Sequence, residues 1–248
     1  MSGIAERSMA RRCRRALLTV CLGIWPAQLF SAPLLFAVDT GTEMPLAQLR
    51  GGQLVDGLLY DLGRELARRL GREPQFVPLP RLRLSQALLS GEAELACVLL
   101  PQWLPGPLEW SKAFIPQADW LITRLDAPRP LTLADLSAQR IGAVHGFSYP
   151  ALERALGKGW RRDDAPTANA NVRKLALGRV QHAVVSRRLF EYLQRQQAMP
   201  VHPPLVLNET LSHCALSRKS SLSLAELNAA IDQIQADGAL ARMEARYR

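Results

Sequence analysis

The 248-residue sequence predicts an α/β fold in two lobes, and three observations carry that reading. Short apolar runs alternate with helical stripes along most of the chain. One run, Leu95–Leu100, is apolar throughout, as a strand covered on both faces requires. Residues 1–32 stand apart, in the basic, apolar and small-residue order of a secretory signal.

In that leader, Arg11, Arg12, Arg14 and Arg15 precede the apolar run Ala16–Ile24, and Ser31 and Ala32 supply the small residues. The run is much shorter than the ~20 residues of a membrane span. Export without a permanent anchor is therefore expected, with a soluble mature protein in the periplasm. The formal charge of +9 misleads about partners, because residues 1–32 hold five arginines against one acid and the rest is net +5. Arg64, Arg68, Arg69 and Arg72 are scattered over helix faces, as solvated arginines are expected to be, with no basic stripe of the kind that nucleic acid requires.

Past the leader, two cysteines remain, Cys97 and Cys214. A disulfide or two buried thiols in adjacent strands both fit an even pair in an oxidising compartment. His145, His182, His202 and His213 lack ligand spacing, and no CxxC is present, so neither metal nor cofactor is expected.

Leu34–Val38 reads as a strand ending in Asp39-Thr40-Gly41. Leu59, Leu62, Leu66 and Leu70 make one helical stripe that stops at Gly71. Gln75–Leu79 is a strand, and Leu84, Ala87 and Leu88 mark a short helix ending near Gly91. The proline- and tryptophan-rich interval 101–116 reads as irregular, and Trp120–Leu125 as strand. Beyond the proline turn at 127–130, Thr132 and Asp135 open a short helix. Strand Arg140–Val144 leads into His145-Gly146-Phe147-Ser148, where Ser148 is placed to cap a helix Tyr149–Leu156 with Pro150 in its first turn. Helix 171–178, strand Ala183–Val185 and helix Leu189–Gln196 follow. Leu205–Leu207 and His213–Ser217 read as two strands. Ser223 and Glu226 form a capping box for the last long helix, which Asp237-Gly238 breaks. Such alternation argues a mostly parallel sheet with helices on both faces, binding ligands at the carboxyl ends of its strands.

Four segments carry a family resemblance. They are Gly57-Leu58-Leu59-Tyr60-Asp61-Leu62 with Leu66, Ala67 and Leu70; Gly91-Glu92-Ala93-Glu94-Leu95; Trp110-Ser111-Lys112-Ala113-Phe114; and Ile141-Gly142-Ala143-Val144-His145-Gly146. In this order they resemble the bacterial extracellular solute-binding proteins of family 3, the polar amino-acid type that serve ABC importers. The resemblance implies a type II periplasmic-binding-protein fold of two α/β lobes, with a ligand cleft between them and a two-segment hinge. Residues 33–124 and 207–248 would form the first lobe and 125–206 an inserted second one, hinged near Ile122–Leu125 and Leu205–Asn208. Cys97 and Cys214 would then share the first lobe, which favours the disulfide.

The implied activity is capture of a small polar or amino-acid-like solute by lobe closure, by a monomer with no catalytic residues. An ABC importer permease or a membrane sensor would be its protein partner. Gly146, Ser148 and Tyr149 would offer donors to a carboxylate, although Ser148 also serves as a plain cap. Asp39, Glu43 and Met44 stand nearest the expected cleft. Trp103 and Trp110, the latter followed by Ser111, would form either a cleft wall or core packing. The arginine that family members place upstream of the aromatic–serine segment is absent, leaving Arg81 and Arg83 as substitutes or as surface charges. Ser186 stands where the family carries an aspartate for the ligand ammonium. Competing readings are a ligand-sensing accessory protein and an enzyme on the same fold, for which Glu43 is the only carboxylate to nominate.

Overall fold

The computed structural model describes residues 32–247. Apart from Ala32, the expected leader lies outside them. Strand β1 (Leu34–Asp39) opens the fold, followed by a small hairpin of β2 (Gln48–Arg50) and β3 (Gln53–Asp56). Helix α1 (Leu58–Arg69) buries the expected stripe, Leu58, Leu59, Leu62 and Leu66. Then come β4 (Pro74–Leu79), α2 (Arg81–Ser90), β5 (Leu95–Leu99), the two-residue β6 (Glu109–Trp110) and β7 (Ile115–Thr123). The next stretch holds β8 (Ile141–Val144), α3 (Pro150–Leu156), β9 (Arg162–Ala165), α4 (Ala168–Ala176), β10 (His182–Ser186) and α5 (Arg187–Gln196). The 12-residue β11 (Leu205–Leu216), α6 (Leu224–Ala236) and α7 (Ala239–Arg246) complete the chain. The expected capping box forms at Ser223/Glu226, and Thr132, expected as a cap, makes a second box with Asp135.

Nine strands form one connected sheet in the order β4-β1-β5-β11-β7-β10-β8-β9, with β6 also on β11. Parallel pairing runs through β4-β1-β5 at one end and β10-β8-β9 at the other. Antiparallel β11 and β7 join these two halves, so the sheet is mixed where the sequence suggested a mostly parallel one. Residues 213–216 of β11 pair with β5, and 205–212 pair with β7.

Helices cover both faces of each half. Phe36, Leu62, Leu66, Ile231 and Ile234 pack one core of the first half, with α1 and α6 on that side. Leu84, Leu88, Ala96 and Leu99 pack the other under α2. In the second half, Leu121, Ala143, Tyr149, Leu152 and Val184 form one core, while Ile122, Val172, Ala183 and Phe190 form the opposite one. Residues such as Phe36 and Leu62, with no exposed surface, stabilise the fold by about 1.5–3 kcal/mol each.

Cys97 and Cys214 lie directly opposite each other on β5 and β11 and are bonded, with Cα atoms 3.9 Å apart. The free-thiol alternative is excluded in this structure. Beside the bond, Cys97 faces Cys214 while Leu99 faces His213, leaving Val98 as the extra residue of a β-bulge at φ 61°. A β-branched residue in that region is strained by about 1–3 kcal/mol.

Three readings of the sequence need correction. The strand expected from Trp120 begins at Ile115. The two strands expected at 205–207 and 213–217 are one, because the polar run 208–210 is exposed and so lacks the apolar alternation that marks a strand. The hairpin β2–β3 and strand β9, which is Arg-Asp-Asp-Ala, escaped notice because each strand is only three or four residues long and carries few apolar residues.

Candidate functional site

The carboxyl ends of β1, β4 and β5 bring Asp39, Arg81 and Trp103 together. Asp39 ends β1, and its Oδ1 accepts the Gly41 N–H at 2.9 Å. The Arg81 guanidinium lies 3.9 Å from Asp39 and 5.8 Å above the Trp103 ring, a cation–π arrangement. Trp103 is itself partly exposed, in a short 3₁₀ turn after β5. Arg83, two residues along α2, is directed instead to Glu92 at 3.1 Å and takes no part in this cluster.

Glu43 and Met44 lie on the loop after β1 and reach the second half of the molecule. The Glu43 carboxylate accepts the Asn169 N–H at 3.2 Å, in the first turn of α4, where the helix dipole favours negative charge. Glu43, Met44 and Asn169 line a groove of about 1270 Å³ that continues past Val172, Tyr192 and Val201.

Several residues expected in the cleft are occupied otherwise. The Ser111 hydroxyl is buried, accepting the Cys214 N–H at 2.9 Å and donating to the Lys112 carbonyl at 2.8 Å. Trp110 pairs opposite Ala215 on β11, packs against the second core cluster and meets the His213 ring edge-on at 6.2 Å. Both residues tie β6 and its following loop to β11.

The loop Gly146–Tyr149 also differs from expectation. Gly146 does adopt a left-handed φ of 77°, as a turn leaving β8 requires. Ser148, however, does not cap α3. Its hydroxyl donates to Glu153 at 3.2 Å, and Tyr149 holds the cap position without a side-chain bond. Tyr149 is buried, and its hydroxyl accepts the Val144 N–H at 3.0 Å. Burial pushes this phenol up to about 12. Arg162 lies over the rings of both Tyr149 and Trp160, at 5.5 and 5.2 Å. Ser186 caps α5 by accepting the Leu189 N–H at 3.3 Å.

One residue with functional chemistry was not singled out from the sequence. Asp119 lies on β7 directly opposite Ser186, and Asn208 on β11 is its other neighbour. The Asn208 amide donates to the Asp119 carboxylate at 2.8 Å, and the Asp119 N–H donates back at 3.2 Å. Burial holds this carboxyl above the usual range. Its signal in the sequence, an acid two residues before buried Leu121, is visible only once β7 is known to begin at Ile115.

No group of three metal-ligating side chains occurs among the described residues. His182 is buried against the Thr123 hydroxyl at 2.9 Å, and burial lowers its pKa.

The architecture is shared with solved structures. The arginine-, lysine-, histidine-binding protein ArtJ of Geobacillus stearothermophilus matches with a TM-score of 0.67 at 15% identity, over 87% of this chain and 94% of that one. The two-lobed fold of periplasmic amino-acid-binding proteins is therefore present. This binding-protein fold also matches the BvgS VFT2 domain of Bordetella pertussis, with a TM-score of 0.69 at 18% identity over 88% and 93% of the two chains. No family model matches the sequence. A curated relative, membrane-bound lytic murein transglycosylase F of Cronobacter sakazakii, is 26% identical over 82% of this chain. The chain spans 41% of that relative's length. Of these, ArtJ is a protein of the kind that the sequence resemblance implies. No helix among the described residues is long and apolar enough to cross a membrane.

Proposed function

We propose that the chain is an exported solute-binding protein that captures a small polar or amino-acid-like solute in the periplasm by closing its two lobes. One observation carries the reading: the fold is that of amino-acid-binding proteins, with parallel strand ends in both halves joined through β7 and β11. Such an arrangement supports a first lobe of residues 33–124 and 207–248 and a second of 125–206. The β7–β11 pairing, which reaches from Ile115 opposite Ser212 to Leu121 opposite Leu205, supports these two strands as the hinge. Closure on the solute then shifts a pre-existing equilibrium between open and closed forms.

Delivery to an ABC importer is the first reading of its role. A ligand-sensing role is the second, favoured by the BvgS VFT2 match to a domain and by the relative of which this chain spans 41%. In both of those the fold is one module of a larger protein. An enzymatic reading has little to work with. Its nominee, Glu43, is engaged with the α4 N-terminus, and no acid–base pair stands beside it among the described residues.

A thermal-shift screen of the protein without its first 32 residues, against amino acids, polyamines, organic acids and small peptides, tests the reading. A solute that binds only the folded state raises the unfolding temperature by mass action, by about 2.7 kcal/mol of stability at a hundred times its Kd. At least one class is expected to raise it, and a flat response to all four removes the solute-capture reading.

A further inference from the structure

We propose that the second half of the molecule carries a docking face for an anionic phospholipid bilayer, at the amino ends of its parallel strands. The proposal concerns where the protein is held and does not depend on which solute it captures. Charge is divided unevenly along the chain. Residues 125–206 carry twelve basic and six acidic side chains, whereas 33–124 and 207–248 together carry fourteen basic and fifteen acidic ones. The strand register gathers part of that excess. Thr123, His182, Ile141 and Arg162 stand side by side on β7, β10, β8 and β9. The adjoining row, at the amino ends of β10, β8 and β9, is Arg124, Gln181, Arg140 and Arg161, with the Arg124 N–H donating to the Gln181 carbonyl. The connections 124–140, 157–161 and 177–181 meet at this end and add Arg129, Lys158 and Arg179, all exposed.

Helix dipoles account for Arg154, Arg173 and Arg195 in the last turns of α3, α4 and α5, but not for Arg129 or Arg161. Acids offset only part of the charge. Asp126 is bound to Arg124 at 2.6 Å, and Asp135 accepts the N–H groups of Leu131 and Thr132. Arg129, Lys158 and Arg179 make no ion pair among the described residues, and Arg161 reaches only the Ala138 carbonyl, at 3.4 Å. Three leucines on these connections project into water: Leu125, Leu131 and Leu177 are 57%, 74% and 62% exposed. Each lies within two residues of an arginine, namely Arg124, Arg129 and Arg179.

Single exposed leucines are ordinary on a protein surface, so their company of basic side chains carries the argument. A protein interface gathers its apolar side chains into one core from which charges are depleted. Separate leucines among arginines suit a headgroup layer, where apolar tips reach the acyl boundary and basic groups meet phosphates. Nucleic acid is disfavoured, because no exposed aromatic side chain among the described residues of these connections offers a base a stacking surface. Docking here leaves the carboxyl ends of the strands, where sheets of this type take their ligands, directed away from the bilayer.

The test is co-sedimentation of the protein without its first 32 residues, which keeps the fold from β1 onward, with lipid vesicles. Phosphatidylethanolamine vesicles with about 30% phosphatidylglycerol are compared with phosphatidylcholine alone. Wild type is expected to bind the anionic vesicles at about 20 mM salt, at least tenfold more tightly than phosphatidylcholine, and to lose most of that binding at about 500 mM. Arg129→Glu/Arg179→Glu is set against Arg50→Glu/Arg218→Glu, which removes the same charge from exposed positions in the first half of the molecule. Each basic side chain near an anionic surface contributes about fivefold, so the first pair is expected to bind more than tenfold more weakly and the second to stay within about threefold of wild type. Leu131→Ser/Leu177→Ser, at exposed positions, is expected to bind severalfold more weakly with an unchanged melting temperature, and it carries the test if the arginine pair fails to fold. Equal loss in both arginine pairs overturns the proposal, because net charge and not this face then drives binding. Wild type that ignores anionic vesicles, or binds phosphatidylcholine equally well, overturns it too. Binding to soluble poly-L-glutamate at least as tight as to vesicles, with no effect of the leucine pair, overturns the bilayer and assigns the face to an acidic protein surface.

Discussion

Arg72 and Glu94 form a nearly dry ion pair at 2.5 Å, with side chains only 7% and 11% exposed. Glu94 also accepts the Leu35 N–H and the Ser220 hydroxyl, while Arg72 donates to the carbonyls of Ala32 and Pro33. The pair thus ties the start of β1 to the turn before β5 and the loop after β11. Removing one member leaves the other charged and buried, which typically costs about 3–5 kcal/mol. Glu94→Ala is expected to lower the unfolding free energy by that much, read as a lower urea midpoint at an unchanged slope, and a loss under about 1 kcal/mol would show that water reaches Arg72. The Gly91-x-x-Glu94 spacing that carries part of the resemblance therefore has a folding role. The same holds for Asp61, which accepts the Tyr247 hydroxyl at 2.9 Å and fastens α1 to the end of α7. Neither acid lines the groove beside Glu43, although both belong to segments that carried the functional reading.

At the scale of elements, Gly57 shows why one glycine opens the first motif. It precedes α1 at φ 111°, and a Cβ there would fall 2.5 Å from the Leu46 carbonyl oxygen. Gly57→Ala is expected to destabilise by more than about 1 kcal/mol, through both the clash and the left-handed backbone, and chemical unfolding measures it. An unchanged midpoint would mean that the loop 44–47 yields without cost. Helices were legible in the sequence wherever one apolar stripe or a capping box marked them, as in α1 and α6. Strands were legible where both faces are buried, as in β5, and not where a polar stretch crosses the sheet in the open. β11 is the clearest example: Asn208, Glu209 and Thr210 are exposed between half-buried Leu207 and buried Ser212, so one strand read as two. That omission concealed the partner of Asp119.

For the whole molecule, the Cys97–Cys214 bond closes a loop of 117 residues that includes the entire second half of the sheet. In the chain-entropy account, a loop on the order of 100 residues gains about 4.7 kcal/mol from its cross-link. The double variant Cys97→Ser/Cys214→Ser is expected to lose stability of that order by thermal unfolding. In the wild type, intact mass should rise by two hydrogens on reduction, and no change in mass would deny the bond. The amino-acid sequence by itself determined the alternation of strands and helices, the order of family-like segments and the two cysteines available to pair, because periodicity and spacing are local properties. Tertiary structure alone decided which polar residues are spent. It buried Ser111 against Cys214, turned Ser148 to Glu153 and set Arg83 on Glu92. It also left Asp119 at a strand end, 89 residues from the Asn208 that holds it. Burial and the pairing of distant strands set the charge state and partners of a side chain, and neither is written in the residues beside it.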